Sequence, residues 1–120
     1  MEINFDQERK IIKVSLIGIP TYESTQSIFK SYGEIVDGLD AESYSLLIDC
    51  RQLSIFDEKS IPVLKKLYKG YIKSGFKNIV FIKSPNEANN LQLEEIGKSL
   101  EGFYGVFTDD KEEAIKLCSK

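Results

Sequence analysis

The sequence predicts an α/β fold: a mixed sheet of about five strands with four helices, in the order ββαβαβαβα. Three observations predict it. Two alternating segments precede any helical pattern, two short apolar runs (Leu46-Leu47-Ile48 and Ile79-Val80-Phe81-Ile82) follow, and amphipathic stretches separate those runs. An unbroken apolar run of that length is the mark of a strand covered on both faces.

Glu2 to Asp6 and Ile11 to Ile17 alternate polar and apolar residues around the turn Asp6-Gln7-Glu8-Arg9, which predicts an antiparallel hairpin. Gly18-Ile19-Pro20-Thr21 ends its second strand, because Pro20 and its restricted predecessor favour an extended exit. A helix follows from about Glu23, with Ile28, Tyr32, Ile35, Val36 and Leu39 on one face and Asp37-Gly38 at its end. Ser45 to Cys50 is a central strand. The next helix spans about Glu58 to Ser74, burying Ile61, Leu64, Leu67, Tyr68, Tyr71 and Ile72, and Pro62 is tolerated in its first turn, where the missing N–H would be unpaired anyway.

Ile79 to Ile82 is a second central strand, broken by Ser84-Pro85-Asn86. A third helix covers about Ala88 to Leu100, with Leu93, Ile96 and Leu100 inward, and Tyr104 to Phe107 forms a short strand. Thr108 to Glu112 opens the last helix, with Asp109 and Glu112 at capping-box spacing. Right-handed crossovers then gather three strand-to-helix loops at one end: Gly18 to Glu23, Gln52 to Glu58 and Lys83 to Glu87.

A length of 120 residues, 42% hydrophobic and 29% charged, suits one domain over residues 1–120. No apolar run reaches the roughly 18 residues of a membrane span, and the N-terminus lacks a signal sequence, so a cytoplasmic location is expected. Cys50 and Cys118 lack ligand spacing and are expected as buried, reduced thiols. The absence of histidine removes Ser-His and Cys-His catalysis and imidazole metal sites. A net charge of −3 argues against nucleic acid, and no GxGxxG or GxxxxGK[ST] phosphate loop occurs.

The element order, with Leu53-Ser54-Ile55-Phe56-Asp57 ahead of an apolar helix, resembles the STAS domain, the SpoIIAA-like family of anti-sigma-factor antagonists and sulphate-transporter domains. The resemblance spans nearly the whole chain, through Gly18, Leu46 to Asp49, Ile79 to Ile82 and Val106-Phe107-Thr108. It implies a non-catalytic interaction domain with a protein partner such as an anti-sigma factor or a kinase-like protein. In the antagonists the loop reads Asp-Ser-[Ser/Thr]-Gly, and a partner kinase phosphorylates a hydroxyl there. Here Asp57 matches, but Glu58 and Lys59 hold the hydroxyl positions and Ser60 the glycine, so the resemblance implies a module without the usual phosphoacceptor.

Glu58 is either a weak imitation of a phosphorylated serine or a first-turn acid complementing the helix dipole. Ser60 is either a displaced phosphoacceptor or a capping or solvent-exposed residue, and Asp57 an N-cap or a partner contact. Lys65, Lys66, Lys69 and Lys73 line the outer side of the second helix, either as a solvated face or as a dock for an acidic partner or anionic surface.

The expected partner-binding surface is Pro20, Thr21 and Tyr22 with Asp57, Glu58, Lys59 and Ser60. No catalytic residue, metal or cofactor is expected, and neither nucleic acid nor an integral membrane is an expected partner. Monomer and homodimer both stay open. The alternative is a small apolar-ligand domain resembling SpoIIAA-like and CRAL-TRIO carriers, which requires an internal cavity of roughly a few hundred Å3.

Overall fold

The computed structural model describes residues 1–120 as a five-stranded mixed sheet whose spatial order is the chain order. β1 (Glu2–Asp6) pairs antiparallel with β2 (Ile11–Ser15), and β3 (Ser45–Asp49), β4 (Asn78–Ile82) and β5 (Val106–Thr108) add in parallel. Sequential parallel strands joined by right-handed crossovers place every crossover helix on the same face. Accordingly α1 (Tyr22–Asp37), α2 (Ile61–Ser74) and α3 (Glu87–Lys98) share one core: Ile28, Leu64, Leu67, Leu93 and Ile96 pack with Ile12, Leu46, Ile48 and Phe81. The opposite parity of the same strands, Ile11, Leu47, Val80 and Ile82, meets Ala114 and Cys118 of α4 (Lys111–Cys118) on the other face. Covered on both sides, β3 is buried at every position. Both cysteines are free and buried.

Four details differ from the sequence reading. β2 ends at Ser15, short of Ile17, although Leu16 N–H still donates to Asp49 O. β5 begins at Val106, and Tyr104 lies outside the strand with its hydroxyl donating to Phe76 O at 2.6 Å. α4 is capped by Asp110, which accepts from Glu112 N–H; Asp109 is spent on the turn out of β5, and the expected Asp109–Glu112 box does not form.

The start of α2 is the fourth difference, and it shapes the corner discussed next. Residues Glu58–Ser60 form a single 3-10 turn, and the α-helix proper begins at Ile61. Pro62 has no N–H to give the carbonyl four residues back, that of Glu58. Ile61 N–H takes that carbonyl instead, in an i→i−3 bond.

Candidate functional site

Gly18 brings the first two loops together. At φ 77° it adopts a left-handed conformation that side chains disfavour, its N–H donates to Gln52 O at 3.1 Å, and its carbonyl accepts from Ser54 N–H at 2.9 Å. This parallel bridge to Leu53 carries the β2–β3 pairing past the strand ends. Further out, the Ser60 hydroxyl donates to Pro20 O at 2.7 Å. α3 holds the same loop from the other side: Asn89 Nδ2 donates to Ser54 O at 3.1 Å and Gln92 Nε2 to Phe56 O at 3.3 Å. Residues 53–60 are thereby pinned to both neighbours, and the three loops gather at one end of the sheet as expected.

The seven expected surface residues fall into two groups. Thr21, Tyr22, Asp57, Glu58 and Lys59 are exposed, whereas Pro20 and Ser60 are buried. Thr21 and Ser24 form a reciprocal capping box on α1, with Ser24 N–H donating to Thr21 Oγ1 at 3.0 Å and Thr21 N–H to Ser24 Oγ at 2.9 Å. Asp57 Oδ1 accepts from Lys59 N–H at 3.0 Å and caps the 3-10 turn. Glu58, in that turn, is in none of the chain's four ion pairs. Ser60 is 3% exposed, so it is neither a solvent-facing nor a helix-capping serine.

Of the exposed apolar side chains around this corner, sequence reasoning named Tyr22 and missed Ile19, Ile55 and Leu91. Ile19 (54% exposed), Tyr22 (61%), Ile55 (69%) and Leu91 (57%) stand out from the two pinned loops and the start of α1 and α3. Lys66 Nζ sits 5.4 Å from the Tyr22 ring centroid and 5.0 Å from that of Phe29, holding the α1–α2 seam. Helical period alone places Leu91 about 160° from Leu93, off the buried face, so that signal was present. Ile19 and Ile55 had none, since an apolar loop residue reads equally well as core.

Beside the corner, the Asp49 carboxylate accepts two bonds from the Arg51 guanidinium, at 2.9 and 2.7 Å, and one from Arg51 N–H at 3.0 Å; Lys13 Nζ is 3.6 Å away. Burial is the largest influence on Asp49 and raises its pKa. The hydrogen bonds and charge of Arg51, with the charge of Lys13, outweigh it and leave the pKa below the ordinary 3.8. Burial pushes the Cys50 and Tyr71 pKa values up, keeping both groups neutral. No three His, Cys, Asp or Glu side chains converge in an arrangement that would hold a metal ion.

Hollows lie on both sides of α2. An open groove of about 410 Å3 runs between α2 and α3, with Ile61, Lys65, Leu91, Gln92 and Ile96 among its walls. A cavity of about 90 Å3 lies between α1, α2 and β2, lined by Val14, Ile28, Phe29, Leu67, Gly70 and Tyr71 among others.

Neither a family model nor a curated protein matches the chain. Solved structures share its fold, two among them as follows. An uncharacterised protein of the DUF3478 family with a SpoIIAA-like fold, from Shewanella loihica PV-4, aligns at a TM-score of 0.71 and 19% identity, over 98% of this chain and 91% of that one. The anti-sigma factor antagonist SpoIIAA in its unphosphorylated form aligns at a TM-score of 0.58 and 10% identity, over 93% and 90%. At these identities the likeness is one of fold: the chain has the SpoIIAA-like α/β fold that its loop and element order resemble.

Proposed function

We propose that this chain is a non-catalytic, regulatory interaction module that binds a protein partner through the corner formed by Pro20–Tyr22 and Asp57–Ser60. The observation that carries the reading is the buried Ser60–Pro20 hydrogen bond, which joins two loops into one ledge bearing exposed Tyr22, Ile55 and Ile19. A preformed ledge with apolar side chains left in water suits protein recognition, since little ordering entropy remains to be lost on binding. SpoIIAA, whose fold this chain shares, is an anti-sigma factor antagonist, which supports a protein of anti-sigma or kinase-like type as the partner. Glu58 and Lys59 stand where the antagonists carry hydroxyls, and Ser60, at the glycine position, is buried and engaged, so the partner reads these positions without the antagonists' phosphoserine switch. The reading also takes the chain as one domain working in the cytoplasm.

Comparative affinity capture with the wild type and the Asp57→Ala, Glu58→Ala double variant tests this. A partner recovered with the wild type and lost with a variant that still folds, by circular dichroism, supports the ledge; equal recovery from both sinks it.

The ligand-carrier reading has less room. A cavity of about 90 Å3 is a fraction of the roughly 300 Å3 where small-molecule pockets begin.

A further inference from the structure

We infer that the α2–α3 groove is the seat of an acidic, amphipathic helical segment of the partner protein. The inference rests on the reading of this chain as a protein-interaction module and names the chemistry of what it binds. α2 contains four lysines, Lys65, Lys66, Lys69 and Lys73, and no acidic residue. At about 100° per residue the four fall within an arc of about 100°, a continuous stripe along one side of the helix. None of them is in an ion pair with an acid of this chain. With four positive charges on α2 and a net charge of −3 overall, the remainder of the molecule carries −7, so the stripe stands apart from an otherwise acidic surface.

The stripe adjoins a concave apolar surface. Lys65 is on the wall of the groove, whose walls also carry Ile61, Leu91 and Ile96, and Leu91 is 57% exposed in the free chain. Glu95 lies on the α3 side, opposite in charge to the α2 wall, so the groove is polarised across its width. A helix laid between α2 and α3 would bury Leu91 and Ile61 under its apolar residues and bring its carboxylates over Lys65 and Lys69, the usual logic of helix-in-groove recognition. Concavity favours an inserted side chain over a flat anionic membrane, which would meet the lysines but leave the groove unfilled.

The test follows amide resonances of the isotopically labelled full chain with three defined probes: a helical peptide of leucine and glutamate, its counterpart with every glutamate replaced by lysine, and phosphatidylglycerol vesicles. The acidic peptide is expected to shift resonances of Lys65, Leu91, Gln92 and Ile96. Its affinity should fall about tenfold in the Lys65→Glu, Lys69→Glu variant, the equivalent of two rim charges reversed. Leu91→Ser should weaken it without changing its salt dependence. Equal binding of the lysine peptide, shifts mapping away from α2 and α3, or binding to vesicles alone would overturn the inference. The Asp57→Ala, Glu58→Ala variant should bind the acidic peptide as the wild type does. Loss of capture by that variant with no peptide binding in the groove refutes the groove alone, and peptide binding with unaffected capture refutes the corner alone.

Discussion

The hydroxyl of Ser60 and the carbonyl of Pro20, forty positions apart in sequence, meet at 2.7 Å inside the protein. Ser60→Ala removes the donor and leaves Pro20 O buried without this partner, a cost of about 1–2 kcal/mol. Ser60→Asp should cost more, because it places an unpaired carboxylate in the same buried position. Urea denaturation should therefore rank the wild type above Ser60→Ala and Ser60→Asp last; an aspartate variant as stable as the alanine one would mean that the site opens readily.

Arg51 supplies three of the hydrogen bonds that hold the Asp49 carboxylate. Arg51→Ala leaves the carboxylate with only the bond from the backbone N–H of residue 51 and the distant Lys13, and should destabilise the chain by about 2 kcal/mol at pH 7. The pH dependence follows from the lowered Asp49 pKa. Between its folded value and the ordinary 3.8 the unfolded chain binds more protons, so stability rises with pH there. The contribution is complete above that window and disappears as pH falls through the folded value. Denaturation of both proteins from pH 7 down to pH 2 should show the gap between them closing only below about 4.

A Cβ on Gly97 would stand 2.6 Å from Phe103 Cε2, in the ring cluster of Phe103 with Tyr68 and Phe81. Gly97→Ala should cost about 1–3 kcal/mol through overpacking, despite a gain in helix propensity. Phe103→Leu should relieve part of it, so the double variant, by thermal melting, should be less damaged than the two single changes added together.

How much of this was legible in the sequence varies with the range of the interaction. β3 and β4 were, because three or four consecutive apolar residues at Leu46 and Ile79 leave little alternative to a strand buried on both faces. Pro62 was read correctly as an early-turn proline, but the 3-10 turn it imposes through the Glu58 carbonyl needs backbone geometry. Tyr104 looked like strand by composition, but it lies outside β5, with its hydroxyl on Phe76 O, a partner 28 residues away that composition does not announce. At the corner, Asp57 was legible as an N-cap because capping is local, and the Thr21–Ser24 box went unread although it is local too. The engagement of Ser60 was not legible, because its acceptor lies in another loop and is brought near by the β2–β3 bridge at Gly18. Asn89 was equally hidden: its amide is buried against Ser54 O, a contact that helical periodicity does not announce.

Gly70 sits in the third turn of α2 beside the small cavity, and a Cβ there would meet no atom within 4 Å. Packing therefore does not require glycine at a position where alanine is better by about 1 kcal/mol in a helix interior. Gly70→Ala should raise stability by about that amount, or about 5 °C in Tm for a domain of this size. Tyr71, on the same wall, has a buried hydroxyl with no protein partner. An unpaired buried donor costs stability, so Tyr71→Phe should be neutral or stabilising. If Tyr71→Phe instead lowers Tm by several degrees while Gly70→Ala behaves as stated, the hydroxyl is held by bound water or a small ligand. Isothermal calorimetry of the wild type with phenol-sized probes would then separate the two, since only an exchangeable ligand gives a heat that Gly70→Leu abolishes.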